Sequence, residues 1–271
     1  MKFKIVTTFL DKPLKISNID INKLNDKAKR YWSRFNDEEI SRGMLLATQA
    51  NELLPNNASM RVYYEGDNMP VDNWEKVEFF PHPAEQVKEF AKRSSGKMIK
   101  KYFKVYDYHH YKNNINFKEG YDYSHDAVRF CHVPFSLIEA HNTIEERYLI
   151  SIDADVIISG KIPEDFFPSL IREGCVTHYL NRSPCKHMES GFIIWDTHHP
   201  DYNAWWKKYK QLYEQDKLFD IFDGWTDCHA FDHVNEGFPS HMIASRQSHD
   251  VWAVSPLQKY LTHKKGTTIS I

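Results

Sequence analysis

Apolar positions fall along this chain in short runs and helix-spaced stripes that alternate with one another. "FKIVTTF" near the N-terminus has the length and β-branched content of a buried strand. "NDEEISRGMLLATQANELL" places Asn36 as an N-cap, Glu39 three residues later, and apolar residues at helical spacing beyond them. "MRVYYEGD" reads as a second strand ending in a turn, and "PAEQVKEFAKRS" as a helix beginning at a proline. "SHDAVRFCHVPFSLIEAHN" predicts a helix disturbed at Pro134, followed by the strand "YLISIDADVII". "CVTHYL" and "SGFIIWD" are further strands, and "DYNAWWKKYKQLYEQDKLF" a long amphipathic helix. This alternation predicts an α/β fold with a largely parallel sheet. Ligands in such sheets bind outside the carboxyl ends of the strands.

Length and composition narrow the classes. A chain of 271 residues suits one large domain or two joined halves. Its 41% hydrophobic and 27% charged residues are those of an ordinary globular protein. A net charge of -2 offers no basic footprint, which argues against nucleic acid or an anionic membrane as the main partner. No membrane-spanning run and no signal-peptide pattern are present, so a cytoplasmic location is expected. Cys131, Cys175, Cys185 and Cys228 show no CxxC spacing and read as free thiols of a reducing compartment.

The chemistry centres on Asp153 and Asp155. Two carboxylates among apolar runs are expensive to bury, and in an extended segment residues two apart share a side and can converge. Such a pair repels itself unless a cation lies between its members. Oxygen ligation favours a hard ion, Mn²⁺ or Mg²⁺, which in turn binds a diphosphate and stabilises a leaving group. Without an ion, one aspartate caps a turn and the other is solvated.

Several segments, in order along the chain, resemble nucleotide-sugar-dependent glycosyltransferases of the GT-A fold, distantly like the glycogenin group and its bacterial and phage relatives. "KIVTTF" and "RVYYEGD" look like the first two strands, and "HDAVRFCHVPFSLIEA" like the helix beside the diphosphate. "YLISIDADV" is similar to the metal-binding Asp-x-Asp segment, "HMESGFIIWDTHHP" to an acceptor-side strand, "WTDCHAFDHV" to a helix start facing the sugar, and "KYLTHKKG" to a closing segment. The resemblance implies a mixed, Rossmann-like GT-A sheet flanked by helices, with a nucleotide-binding half over residues 1–155 and an acceptor-binding half over 156–271. It implies a UDP- or GDP-sugar donor, a glycan, lipid-linked or other acceptor, and hexosyl transfer supported by Mn²⁺ or Mg²⁺.

Carried onto this chain, the resemblance makes Asp153, Asp155 and His263 the metal ligands. Thr7, Thr8 and Glu65 would meet the base and ribose; Asp126, Arg129 and Lys265 would lie on the diphosphate side. Glu189, Ser190 and Gly191 would face the donor sugar, with Glu189 and Asp227 at the reacting centre. Asp227 would act as general base in an inverting reaction; in a retaining one a carboxylate nucleophile or front-face attack are the alternatives. Its other reading is an N-cap role, at Asp227 or Thr226, for the helix that "WTDCHAF" starts.

This sequence also departs from the pattern. Val133 stands where relatives often carry lysine, "TTIS" follows "HKKG" in place of basic residues, and Met188-Glu189-Ser190 replaces a smaller approach to Gly191-Phe192. These departures keep open a sugar-nucleotide-binding or carbohydrate-binding protein without turnover. A phosphatase of the haloacid dehalogenase type is the other alternative, with Asp153 as nucleophile and Asp223 and Asp227 as its downstream acidic pair. Trp205, Trp206 and Trp225 read as core, with stacking on an acceptor sugar as their other role.

Overall fold

A computed structural model describes residues 1–10, 13–14, 40–66, 69–70, 74–101, 125–182, 187–221, 224–246 and 251–263. Seven strands form one sheet: β1 (Phe3–Leu10), β2 (Ala58–Glu65), β3 (Val77–Pro81), β4 (Tyr148–Ile152), β6 (Thr177–Asn181), β7 (Glu189–Asp196) and β8 (Ser240–Ser245). Between β4 and β6 in the chain lies a short strand, β5 (Val156–Ile158), paired outside this sheet with β9 (Leu261–His263). The sheet order is β8-β6-β7-β4-β1-β2-β3. β7 runs antiparallel to both neighbours, while the other pairings are parallel. The expected mixed α/β architecture is therefore present.

The apolar runs carry no polar alternation because the sheet is covered on both faces. Phe3, Ile5 and Phe9 of β1, Tyr148, Ile150 and Ile152 of β4, and Phe192 and Ile194 of β7 enter one core. Val6, Leu149, Ile193 and Trp195 point the other way into a second. The first core is capped by α1 (Arg42–Leu53), which lays Leu46, Ala47 and Ala50 on the sheet. Gly43 opens this helix because Phe9 lies against it, and a Cβ there would overlap the ring.

The second core takes α2 (Ala84–Lys101), α3 (Ala127–Phe130), α4 (His132–Thr143), α6 (Tyr202–Glu214) and α7 (Asp227–Asn235); α5 (Phe166–Ser169) belongs to the first. In α6, Tyr202, Trp205, Trp206, Tyr209 and Tyr213 recur at helical spacing and are buried. Trp205 and Trp206 are 0% exposed and Trp225 is 1% exposed, so these rings are core and not a sugar platform. Each such ring is worth about 1.5–3 kcal/mol of burial.

Three expectations change. The helix at residues 124–142 breaks at Cys131, ahead of Pro134, because the proline sits in the first turn of α4, where its missing N–H costs nothing. α1 begins at Arg42; Asn36 and Glu39 lie outside the described residues. The strand bearing the aspartates stops at Ile152, and Asp153 to Asp155 form a turn closed by Val156 N–H donating to Asp153 O at 3.1 Å. Two short strands, β3 and β8, were not anticipated. Among the described residues, Cys131, Cys175 and Cys228 are free thiols, and no helix is long and apolar enough to cross a membrane.

One buried contact ties the fold to the acidic turn. Gln49 of α1, 3% exposed, accepts from Ile158 N–H at 2.9 Å. Gln49→Leu fills the space but leaves that N–H unpaired, so a loss of about 1–3 kcal/mol is expected. Urea unfolding with an unchanged m-value would register it.

Candidate active site at the carboxyl edge of the sheet

The topology brings distant segments to one edge. β1, β2 and β4 all end there, as the pairing of Leu10 with Glu65 and of Val6 with Ser151 shows. The reversed strand β7 begins there, so the antiparallel pairing of Ile152 with Phe192 sets Gly191 beside Asp153. Asp153 N–H donates to Gly191 O at 3.1 Å. A Cβ on residue 191 would stand 2.8 Å from Asp153 Oδ2 and 3.3 Å from Glu189 Oε1. Glycine is thus what lets the acidic turn close on β7.

β9 pairs antiparallel with β5 and sets His263 opposite Val156, directly after the turn. His263 Nε2 is 3.3 Å from Asp153 Oδ2 and 2.9 Å from Asp155 Oδ1. Burial alone would push the imidazole toward neutrality, but its contacts with the Asp153 and Asp155 carboxylates outweigh this and raise its pKa to about 10. Asp155 Oδ1 and His263 Nδ1 are buried without an aligned hydrogen-bond partner among the described residues. Arg42 Nη1 approaches Asp155 Oδ2 at 3.8 Å.

Glu189, 2% exposed, faces the same point, and one ligand atom each from Asp153, Glu189 and His263 lie within 4.8 Å of one another. Arg182 holds it, with Nη1 3.4 Å from Glu189 Oε2, while Nε donates to His187 O at 2.8 Å and Nη2 to Met188 O at 2.6 Å. The donor set is carboxylate oxygens and one imidazole, which suits Mn²⁺ or Mg²⁺. The Asp153 and Asp155 oxygens that meet at His263, with the room left by Gly191, are compatible with an ion there.

Asp227 begins α7 beside this group. Its N-cap Thr226 turns its hydroxyl to His229 Nδ1 at 2.7 Å, so the cap gives no side-chain bond to the helix. Asp227 Oδ1 instead accepts from Cys228 N–H at 2.9 Å. Burial first, then the charges of Asp153 and Glu189, push the Asp227 carboxyl up to about 6, against the Ser190 and Cys228 hydrogen bonds. Ser190 also accepts from the Cys228 thiol at 3.1 Å.

A small cavity, of about the size of one water molecule, is bordered by Thr7, Thr8, Val133, Ser136 and Asp153 next to the acidic turn. Thr7 Oγ1 is buried without a partner among the described residues. Glu65 turns away from this cluster toward His132 and His82. Asp126 caps α3 by accepting from Arg129 N–H at 3.1 Å, while Arg129 is exposed with its guanidinium 5.9 Å from the Phe130 ring. Lys265 and Asp223 lie outside the described residues. Sequence reasoning missed Arg182 and Arg42, whose partners are distant in the chain and leave no spacing signal.

No protein-family model and no curated protein matches the sequence. Similar solved structures include mouse xyloside xylosyltransferase 1, 12% identical over 99% of both chains with a TM-score of 0.46. The galactosyltransferase LgtC is 10% identical over 97% of this chain and 87% of its own, at 0.45. A glycosyltransferase involved in glycosylating the major capsid of PBCV-1 is 11% identical over 98% and 94%, at 0.40. Likeness at this level assigns no residue and no chemistry, so the reading of the site rests on its own geometry.

The His263 contact has a consequence for metal-free protein. Its pKa is raised on folding, so its stabilisation is complete below pH about 6.5 and is lost as pH rises through about 10. Melts of metal-free wild type should show this decline, worth a few kcal/mol in total, and His263→Gln should flatten it.

Proposed function

We propose that the chain is a GT-A-type glycosyltransferase that moves a sugar from a UDP- or GDP-sugar to a glycan, lipid-linked or other acceptor. The observation that carries this is the contact of His263 with both Asp153 and Asp155, with Glu189 within 4.8 Å of Asp153 and His263, at the carboxyl edge of the sheet. Asp153, Asp155 and His263 would hold Mn²⁺ or Mg²⁺, with Glu189 in reach of the same point. When bound, the ion supplies charge stabilisation for a departing nucleoside diphosphate.

The chain's own residues do the remaining work. Thr7, whose buried hydroxyl lacks a partner among the described residues, and Thr8 are assigned to the donor side, and Gly191 lets the acidic turn close on β7. Ser190 holds Asp227 in place, and a carboxyl with a pKa of about 6 is half-way between a resting carboxylate and a group able to take a proton near neutrality. Asp227 is assigned to the acceptor hydroxyl in an inverting reaction, or to contact with the transferring sugar in a retaining one. Lys265, and Asp126 with Arg129, retain the diphosphate-side role that the sequence resemblance implies. A phosphatase would use Asp153 as a free nucleophile, and the ion pair with His263 does not favour it.

The direct test is a thermal-shift panel of UDP- and GDP-sugars with and without Mn²⁺. Stabilisation by one nucleotide sugar that needs Mn²⁺ and disappears in Asp155→Ala is expected; no response across the panel would sink the reading. Asp227→Asn should keep donor-induced stabilisation yet slow transfer by about 10²–10⁴-fold. Wild-type transfer should rise with pH through about 6 as Asp227 ionises, and hydrolysis of a generic phosphate ester should be absent.

A further inference from the structure

A second set of ligand-type side chains lies at the same sheet edge, outside the acidic site. Glu65 ends β2, His82 follows β3, and His132 opens α4. Glu65 Oε1 is 3.4 Å from His82 Nε2, and Oε2 is 2.9 Å from His132 Nδ1. One ligand atom from each of the three lies within 4.8 Å of the others. Donors about 2.0–2.1 Å from a tetrahedral ion stand about 3.3–3.4 Å apart. The 3.4 Å separation already matches that of a filled shell, and the 2.9 Å one, on the second carboxylate oxygen, is shorter.

The three side chains are poised as ligands. The His82 side chain is 4% exposed, yet its Nε2 makes no aligned hydrogen bond among the described residues. Its polar contact there is the Glu65 carboxylate, 3.4 Å away, which leaves room for an ion or a water to improve on it. The Glu65 carboxyl is held below its usual range: burial opposes this, but the hydrogen bond with His132 and the neighbouring imidazoles outweigh it. Thr8 Oγ1, 3.4 Å from Glu65 Oε1, helps to fix that carboxylate. The His132 side chain is 36% exposed, which leaves one side of the cluster open to solvent for a completing water.

We propose that Glu65, His82 and His132 bind a divalent transition-metal ion of the zinc type, separate from the oxygen-rich group at Asp153 and Asp155. Two imidazoles and one carboxylate suit zinc and its neighbours better than Mg²⁺ or Ca²⁺. Such an ion would lock together the ends of β2 and β3 and the start of α4, next to Thr8. The inference uses none of the residues of the acidic group at Asp153 and Asp155, although Glu65 and its neighbour Thr8 also belong to the donor side in the transferase reading.

The test uses full-length protein carrying Asp153→Asn and Asp155→Asn, stripped of metal and titrated with Zn²⁺ alone by calorimetry. One Zn²⁺ per chain with a micromolar or tighter dissociation constant is expected, together with a rise in Tm. Adding His82→Gln and His132→Gln should weaken binding by about 100-fold or more, beyond the ~10–100-fold cost of losing only an outer hydrogen-bond partner of a metal ligand. Circular dichroism of the metal-free variants checks folding, and the partly exposed His132→Gln alone serves if the combined variant unfolds. Binding that is absent, or that survives loss of His132 and His82 unchanged, would overturn the proposal and leave Glu65 as a carboxylate paired to two imidazoles.

Discussion

Asp153, Asp155, Glu189 and Asp227 bring carboxyl groups into one corner of the sheet, where the charges of Asp153 and Glu189 add to burial in raising the cost of ionising Asp227. The molecule meets that cost with cations and donors from far along the chain. His263 sits against both aspartates, Arg182 against Glu189, and Arg42 against Asp155. In metal-free protein the His263 proton is the positive charge closest to the acid pair. A divalent ion bound there would therefore compete with that proton for the same carboxylates, and its uptake would release a proton at neutral pH.

The convergence follows from one feature of the topology. A parallel strand after β4 would have presented its carboxyl end at this edge, and its start at the opposite end of the sheet. By running antiparallel, β7 instead delivers the first residues of a strand, where Glu189, Ser190 and Gly191 stand. The short β5 then continues past the turn and recruits β9, which returns His263 to the aspartates. Gln49 anchors the backbone of β5 from the helix side. The site is thus built from strand ends and one turn backed by packed layers, which gives it rigid support.

Much of this was legible in the sequence because strands buried on both faces write themselves as apolar runs. β1, β4 and β7 were readable for that reason, and the two aspartates stood out against them. The extended geometry assumed for the pair was not what brings them together, since a turn closes after Ile152. β3 and β8 escaped notice because most of their residues are partly or wholly exposed, which dilutes the apolar signal. Gly191 and His263 were legible only through the resemblance of their segments. Arg182, His82 and His132 were not, because their partners are set by tertiary packing and no local spacing encodes a contact across the fold.

The electrostatics of Asp227 connect the acid cluster to the proposed chemistry. Its carboxyl is pushed up first by burial and next by the charge of Asp153. Burial is a property of the fold and persists in every state, whereas the Asp153 contribution depends on what neutralises that carboxylate. A pKa of about 6 leaves most Asp227 side chains ionised at neutral pH even without an ion, and a cation between Asp153 and Asp155 would add to that fraction. Ser190 and the Cys228 N–H, which both stabilise the ionised form, act in the same direction.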